Sequence, residues 1–317
     1  DERIVSVGTV YTRIFMSFAP IFMWNYVANA YVRNDGAPTV AMAATLLSSL
    51  FNILFDYVLM FPLGLGMPGA ALATAFSPVV GIAVCLTHLL SKKSNVRFRL
   101  CMPSVKRLFA SCQVAVAAFV AEISSGVITL VFNIIVLKLA GNIGVAAYGI
   151  VANVSLVAVA VFNGVAQGSQ PLVSDCYGKM HMSDVRTLKR MSFATTLILA
   201  VVMYTVIFIF TDGIVRVFNS ENSVQLAQYA AVGVRLYFIG ILFSGVNIVG
   251  GSYLSATEKA KAAFIVSVLR GFILIVVFAF VLSFIFGMKG VWLSYMAAEL
   301  CTTMVLLIFN YKYSKNT

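Results

Sequence analysis

The chain has 317 residues, of which 61% are hydrophobic and only 10% are charged, and its mean hydropathy is +0.97. A soluble domain is about half apolar and about a quarter charged, so this composition excludes a soluble globular protein. The formal net charge is +11, but the basic residues lie between apolar blocks. We therefore interpret them as determinants of membrane topology that contact lipid head groups, and we expect no nucleic-acid partner.

Apolar residues occur in nine blocks, most of them close to the length of about 20 residues that spans a bilayer core. Helices are the only open-ended structures that satisfy their own backbone hydrogen bonds in lipid. We therefore predict an all-α polytopic membrane protein, with a kink at Pro20 in its first helix. The predicted helices cover residues 9–31, 39–61, 69–90, 111–137, 143–172, 192–211, 226–254, 262–286 and 290–311.

Lys and Arg are concentrated in alternate loops, and positively charged loops face the cytoplasm. This pattern predicts that the first helix enters from outside and that the C terminus is cytoplasmic. The basic loops contain Arg33, Lys92, Lys93, Arg97, Arg99, Lys106, Arg107, Lys179, Arg186, Lys189, Arg190, Lys259, Lys261, Lys312 and Lys315.

The sequence contains an internal repeat. The segment GMPGAALATA at 66–75 resembles GMKGVWLSYM at 287–296, an offset of 221 residues. At an offset of 222, three residues of the first block recur in the seventh: Arg13, Asn25 and Tyr31 match Arg235, Asn247 and Tyr253. The first three helices thus match the last three in the same orientation, which indicates a parallel repeat.

Helices four to six have no upstream counterpart, so we expect an intact protein of twelve helices in two lobes. The alternative is a nine-helix protein with a chance similarity. We assign residues 1–90 to the C-terminal half of the first lobe and residues 91–110 to a basic cytoplasmic linker. Residues 111–317 then form a complete second lobe.

Two polar residues, Asn52 and Asp56, interrupt the second apolar block and share one helix face because they are four residues apart. Asp56 should lie about 25 Å from the cytoplasmic end of its helix, and Thr74 about 8 Å from the outer end of the next. In a core of about 30 Å these levels nearly coincide. Oxygen ligands suit Na⁺ and a lone carboxylate would suit H⁺, whereas the alternative is that these residues only hold helices together.

Four segments resemble the multidrug and toxic compound extrusion family, especially its bacterial branch. They are YVRNDGAPTVAM at 31–42, NILFDYVLMFPLGLGMPGAALAT at 52–74, AEISSGVITLVFN at 121–133 and AAYGIVANVSLVAVAVFNGVAQGSQPLVSDCYG at 146–178. The resemblance covers essentially the whole chain. It implies two six-helix bundles around a central cavity, and export of organic cations and drugs in exchange for Na⁺ or H⁺.

In this family an Asn and an Asp on the fifth helix, a Thr on the sixth and an Asp on the first form a cation site. The resemblance therefore implies that Asn52, Asp56 and Thr74 hold the coupling cation, with the fourth ligand upstream of this chain. The repeat places Leu274 and Phe278 where Asn52 and Asp56 stand, so the fold itself does not require the polar pair.

Glu122 resembles the acidic residue on the family's seventh helix, which in several members couples cation binding to drug release. The acid expected on the tenth helix is absent from RLYFIGILF at 235–243, so Glu122 contacts the substrate or pairs with Arg235. Cavity-lining and packing roles are both open for a further group of residues. This group comprises Asn153, Gln167, Gln170 and the aromatic Tyr237.

Arg270 and Glu299 lie at similar depth on neighbouring helices and are predicted to form a structural ion pair. The rival functions are a lipid-linked sugar flippase of the same superfamily and a membrane enzyme. The flippase would need several cations in its cavity, and the enzyme would need paired catalytic groups that the sequence lacks. We expect a monomeric, non-enzymatic transporter of the bacterial cytoplasmic membrane, with lipid and organic cations as partners and no cofactor beyond the coupling ion.

Overall fold

The computed structural model describes residues 2–96, 102, 104–219 and 222–314, and every regular element in these ranges is a helix. The chain divides into two compact units, Asp1–Met102 and Pro103–Thr317, called here the N-terminal and C-terminal units. The predicted linker, 91–110, contains this boundary, and its residues 97–101 and 103 lie outside the described residues. The assignment of the units to half a lobe and a whole lobe remains a prediction.

The N-terminal unit departs from the prediction in its first block. The single kinked helix predicted over 9–31 is wrong, because the helix ends at Ser17 and a new one begins at Ala19. Pro20 lies in the first turn of the second helix, where its missing N–H costs no hydrogen bond. The four helices of the unit are α1 (Glu2–Ser17), α2 (Ala19–Asn34), α3 (Pro38–Met60) and α4 (Gly66–Leu89).

The C-terminal unit begins with a long helical stretch, α5 (Val105–Gly178), which turns back on itself at Gly141. This glycine has φ +61° and ψ −156°, a conformation that side chains disfavour. Phe132 and Tyr148, on either side of the turn, stack with their ring centroids 5.3 Å apart. The fourth and fifth predicted helices are therefore the two arms of α5.

The remaining helices of this unit follow the predicted blocks, with one short addition. The short helix Thr211–Phe218 was not predicted, because its eight residues are too few to register as an apolar block. Two further segments connect consecutive helices. They are a 3₁₀ turn, Phe238–Gly240, and a π-helical segment, Leu269–Ile273. The helices are α6 (Met182–Ile209), α7 (Thr211–Phe218), α8 (Val224–Tyr237), α9 (Ile241–Ala256), α10 (Ala260–Val268), α11 (Leu274–Phe286) and α12 (Met288–Ser314).

Seven helical stretches in the described part of the chain are long and apolar enough to cross a membrane. One of them contains both arms of α5, and the first predicted block is absent from the set because it is split into α1 and α2. The prediction of an all-α polytopic membrane protein is confirmed. The seven stretches are Pro38–Met60, Gly66–Leu89, Glu122–Gly178, Met182–Ile209, Val224–Ala256, Ala260–Phe286 and Met288–Tyr313.

The internal repeat is visible in the turns that precede α4 and α12. Gly66 has φ +56° and its counterpart Gly287 has φ +59°. Three residues later, Gly69 faces the backbone of Leu59, and Gly290 faces the backbone of Leu282. A side chain at either position would push the two helices of its hairpin apart, so each unit uses the same glycine pair to close one helical hairpin.

A buried carboxylate joins three segments at one end of the N-terminal unit. Asp35, whose side chain is 4% exposed, follows α2 and accepts hydrogen bonds from the His88 ring at 3.0 Å and the Ser94 hydroxyl at 2.7 Å. The backbone N–H of Asn95 donates to both of its oxygens, at 3.1 and 3.2 Å. Asp35 therefore attaches the end of α4 and the start of the basic loop to the α2–α3 turn.

These contacts make stability depend on pH. The hydrogen bond from Ser94, followed by those from His88 and Asn95, lowers the pKa of Asp35 below its usual range. A lowered folded-state pKa stabilises the fold above the unfolded value of about 4, and this stabilisation is lost as pH falls through the folded value. Asp35→Asn should lower the Tm at neutral pH, and the difference from wild type should shrink towards pH ~3.

Thermal unfolding in detergent across this pH range measures the effect. Asp184→Asn is the matched control, since the Asp184 side chain is 60% exposed. A difference between wild type and Asp35→Asn that stays constant with pH would contradict the assignment.

Candidate cation-coupling site

The helices α3 and α4 bring two of the three predicted ligands together. The Asn52 amide nitrogen donates a hydrogen bond of 3.3 Å to the Thr74 hydroxyl oxygen. The two helices are joined by the short loop 61–65 and closed by Gly69, so residues at similar depth on the facing sides meet. Donation through the nitrogen leaves the amide oxygen of Asn52 available as an acceptor.

Asp56 lies one helical turn beyond Asn52 on α3 and is partly buried. Its Oδ1 atom is inaccessible and has no hydrogen-bond partner among the described residues. Burying an unpaired carboxylate oxygen in a membrane-spanning helix costs free energy, which a bound proton or metal cation would offset. Asp56 is therefore expected to favour binding of a proton or a metal cation, and a coupling site must bind one of these.

The polar face of α3 continues to Ser48, which sequence reasoning missed. Its hydroxyl donates to the backbone carbonyl of Ser77 on α4 at 2.6 Å, and the Ser77 hydroxyl donates to the carbonyl of Thr74 at 3.0 Å. Ser48, Asn52 and Asp56 follow each other at intervals of four residues, so this polar line extends about 12 Å along the helix. That spacing was the available sequence signal.

A second polar group on α2 lies beside the first. The Asn29 amide donates to the Asn25 side-chain oxygen at 3.0 Å, and the Thr45 hydroxyl on α3 lies 3.5 Å from the Asn29 oxygen. Asn25 also approaches Gly81 of α4, where a Cβ atom would stand 2.6 Å from its Oδ1. Amide and hydroxyl groups from α2 and α3 therefore meet within the N-terminal unit, and Gly81 of α4 leaves room for Asn25.

In the C-terminal unit, Glu122 lies on the first arm of α5 and is exposed. It forms no hydrogen bond or ion pair with any residue that the structure describes. The suggested pairing of Glu122 with Arg235 is not formed, because Arg235 Nη2 lies 3.5 Å from Asp212 Oδ1 instead. The exposed Glu122 side chain is therefore accessible to a ligand.

Three predicted cavity residues share one side of the second arm of α5. Asn153, Gln167 and Gln170 are all exposed, and at 100° per residue they lie within an arc of about 100°. The Asn153 amide donates to the carbonyl of Gly149 at 2.8 Å. Their positions place polar groups on a single face of this arm.

Tyr237 is packed inside the C-terminal unit. Its side chain is only 6% exposed, and its ring stacks on Tyr295 with centroids 4.1 Å apart and contacts the edge of Phe132 at 6.5 Å. The stacked Tyr295 ring covers one face of Tyr237, and the low exposure leaves little of the ring accessible to a substrate. Of the cavity-lining and packing roles left open for Tyr237 by the sequence, this environment corresponds to packing in the core.

A buried polar network crosses the C-terminal unit. Arg270 Nε donates to Glu299 Oε1 at 2.7 Å, which confirms the predicted ion pair, and Arg270 Nη2 donates to the Ser244 hydroxyl at 2.9 Å. The second carboxylate oxygen of Glu299 accepts from the Asn247 amide at 2.7 Å, and Thr303 donates to Asn247 at 3.1 Å. Each charge therefore has polar partners on neighbouring helices.

Comparison with known proteins decides the family. The MatE family model matches residues 117–281, more than half of the chain. The chain belongs to the MatE family. This confirms the resemblance drawn from the sequence motifs.

MatE relatives with curated names are multidrug export proteins. The multidrug export protein MepA of Staphylococcus saprophyticus is 28% identical over 311 residues, which cover 95% of this chain and 66% of that protein. The protein of the same name from Staphylococcus aureus is 27% identical over 303 residues, covering 94% and 66%. The chain thus spans about two thirds of the length of these MatE relatives.

Solved MATE structures share the fold. A crystal structure of MATE in complex with MaL6 matches with a TM-score of 0.90 and 20% sequence identity, over 97% of this chain and 70% of the other. The outward-facing conformation of a multidrug resistance MATE family transporter of the MOP superfamily gives the same values. The predicted MATE fold of a multi-pass membrane protein is therefore confirmed.

Proposed function

We propose that this MatE chain belongs to a cation-coupled antiporter that exports amphipathic organic cations across the bacterial cytoplasmic membrane. We further propose that it acts as a monomer with a cytoplasmic C terminus, and that Na⁺ or H⁺ drives transport. The names of the staphylococcal relatives support multidrug export. The basic loops support the orientation through the positive-inside rule.

One observation carries the coupling proposal: Asp56 Oδ1, one helical turn from the Asn52 that bonds Thr74, has no hydrogen-bond partner among the described residues. Amide, hydroxyl and carboxylate oxygens are the donors that a hard cation such as Na⁺ prefers. The same carboxylate could instead take a proton. In either case the bound charge neutralises Asp56 and removes the cost of burying it.

Neutralisation gives the site a means to change conformation. A state that buries Asp56 is favoured when the cation is bound, and a state that hydrates Asp56 is favoured when it is empty. The drug must bind one state more weakly than the other, because a ligand shifts such an equilibrium only through its differential affinity. Export then follows if the cation-bound state has the weaker affinity for the drug.

Ethidium efflux tests the proposal. Cells that express the gene are loaded with the dye, and its loss is compared with that from cells carrying an empty vector. We expect faster efflux with the gene, and we expect it to stop when the gradient of the coupling ion is collapsed. A proton uncoupler should stop an H⁺-driven exporter, and a sodium ionophore should stop a Na⁺-driven one. Efflux equal to the vector control would count against export of this dye class.

A further inference from the structure

Two lysines in the C-terminal unit lie against aromatic rings at the face that the basic loops predict to be cytoplasmic. Lys189, on α6, places its Nζ 4.9 Å from the ring centroid of Tyr253 on α9. Lys259, in the turn between α9 and α10, places its Nζ 4.6 Å from the ring centroid of Tyr313 near the end of α12. Both lysines are half-buried, unlike most lysines of a loop surface.

One residue connects the two contacts. Lys189 Nζ donates a hydrogen bond of 2.9 Å to the Asn310 side-chain oxygen, and Asn310 lies one helical turn before Tyr313 on α12. The lysines are close enough for their charges to repel each other. The group of Lys189, Tyr253, Lys259, Asn310 and Tyr313 is called here the two-lysine site, and it draws on the helices α6, α9 and α12 and on the α9–α10 turn.

The two-lysine site has an excess of positive charge. Among the described residues, neither lysine forms an ion pair with a carboxylate, whereas the exposed Lys179 pairs with Asp175 at 2.7 Å. Glu258 precedes Lys259 but is exposed. Burial lowers the pKa of Lys259 below its usual range. Two half-buried ammonium groups that repel each other favour an anion between them.

We propose that the two-lysine site binds the phosphate of an anionic phospholipid head group at the cytoplasmic edge of the bilayer. Basic pockets between membrane-spanning helices on the cytoplasmic side recognise such head groups, and tyrosine rings favour this interfacial depth. The position supports a lipid rather than a soluble anion. Lys259 lies in the short turn that connects two helical stretches long and apolar enough to cross the membrane, so it is expected at the edge of the bilayer. The Asn310 amide adds a donor, through its Nδ2, for a phosphate oxygen.

Binding of phosphatidylglycerol and phosphatidylcholine to the full chain, followed by native mass spectrometry, tests the site. Wild type should retain phosphatidylglycerol in preference to phosphatidylcholine. The Lys189→Gln/Lys259→Gln variant should bind phosphatidylglycerol about 30-fold more weakly, and each single variant about fivefold more weakly. Lys312→Gln is the matched control, because Lys312 is an exposed lysine at the same end of α12.

Two further measurements keep the outcome clear. Lys189→Arg/Lys259→Arg should retain phosphatidylglycerol, and size-exclusion chromatography shows whether each variant is folded. An equal loss in Lys312→Gln, or no loss in the double Gln variant, would overturn the proposal. Displacement of phosphatidylglycerol by millimolar inorganic phosphate would assign the site to free phosphate and overturn the proposal that it binds a lipid head group.

Discussion

Glu299→Gln is expected to destabilise the C-terminal unit by about 3–5 kcal/mol, because it leaves the Arg270 guanidinium without its counter-charge inside the bundle. The Glu299 side chain is only 2% exposed, so water cannot replace the lost carboxylate. The loss also weakens the contact with Asn247, whose amide donates to Glu299 at 2.7 Å. The free energy of unfolding in detergent micelles measures the effect.

Two further variants test whether the loss of stability in Glu299→Gln comes from the broken ion pair. Glu258→Gln removes an exposed carboxylate and should change the unfolding free energy by less than about 0.5 kcal/mol. Arg270→Met/Glu299→Leu removes both charges and should recover much of the stability, since an apolar pair avoids the desolvation cost. If Glu299→Gln were as stable as Glu258→Gln, the ion pair would not hold these helices together.

Asp56→Asn is expected to reduce ion-coupled ethidium export to the level of the vector control. The amide cannot take up a proton at physiological pH and brings no negative charge to a cation. Folding should be little affected, because an amide has nearly the same shape as the carboxylate and is cheaper to bury. Efflux from loaded cells at matched expression, together with size-exclusion chromatography of the purified protein, measures both properties.

The matched control is Asp184→Asn, which makes the same chemical change at an exposed position and should leave efflux unchanged. Export by Asp56→Asn at the wild-type rate would remove coupling from Asp56 and shift attention to Glu122. Loss of export together with loss of folded protein would instead show that Asp56 is structural. Only loss of export with an intact fold supports the proposed coupling site.

Residue spacing was sufficient to predict part of each polar cluster. Asn52 and Asp56 share a face because four residues make about one helical turn, and Arg270 and Glu299 could be matched by depth. Ser48, Ser77 and Ser244 were missed, because serine is common in membrane helices, and Asn247 was noticed only as part of the repeat. Whether they face a polar neighbour depends on the rotation of each helix, which composition does not specify.

Tyr237 and the first predicted block show features that the sequence did not predict. A tyrosine in an apolar block can face lipid, a cavity or the core, and only the contacts with Tyr295 and Phe132 assign it to the core. The proline at position 20 was predicted to bend one helix, but the structure begins a new helix there. The environment of Tyr237 follows from contacts between segments that are distant in sequence, whereas Pro20 lies in the first turn of a helix, a position that proline favours.

Residue order alone was enough to predict the membrane class, the number and order of apolar blocks, the repeat and the residue types of the proposed coupling site. These properties depend on hydrophobicity, helical periodicity and local spacing, which neighbouring residues encode. The helix packing shows that Asn52 meets Thr74, that one oxygen of Asp56 has no partner among the described residues, and that Lys189 and Lys259 each lie against a tyrosine ring. Those facts depend on how helices pack, because a side chain's partners are set by the register and rotation of its neighbours.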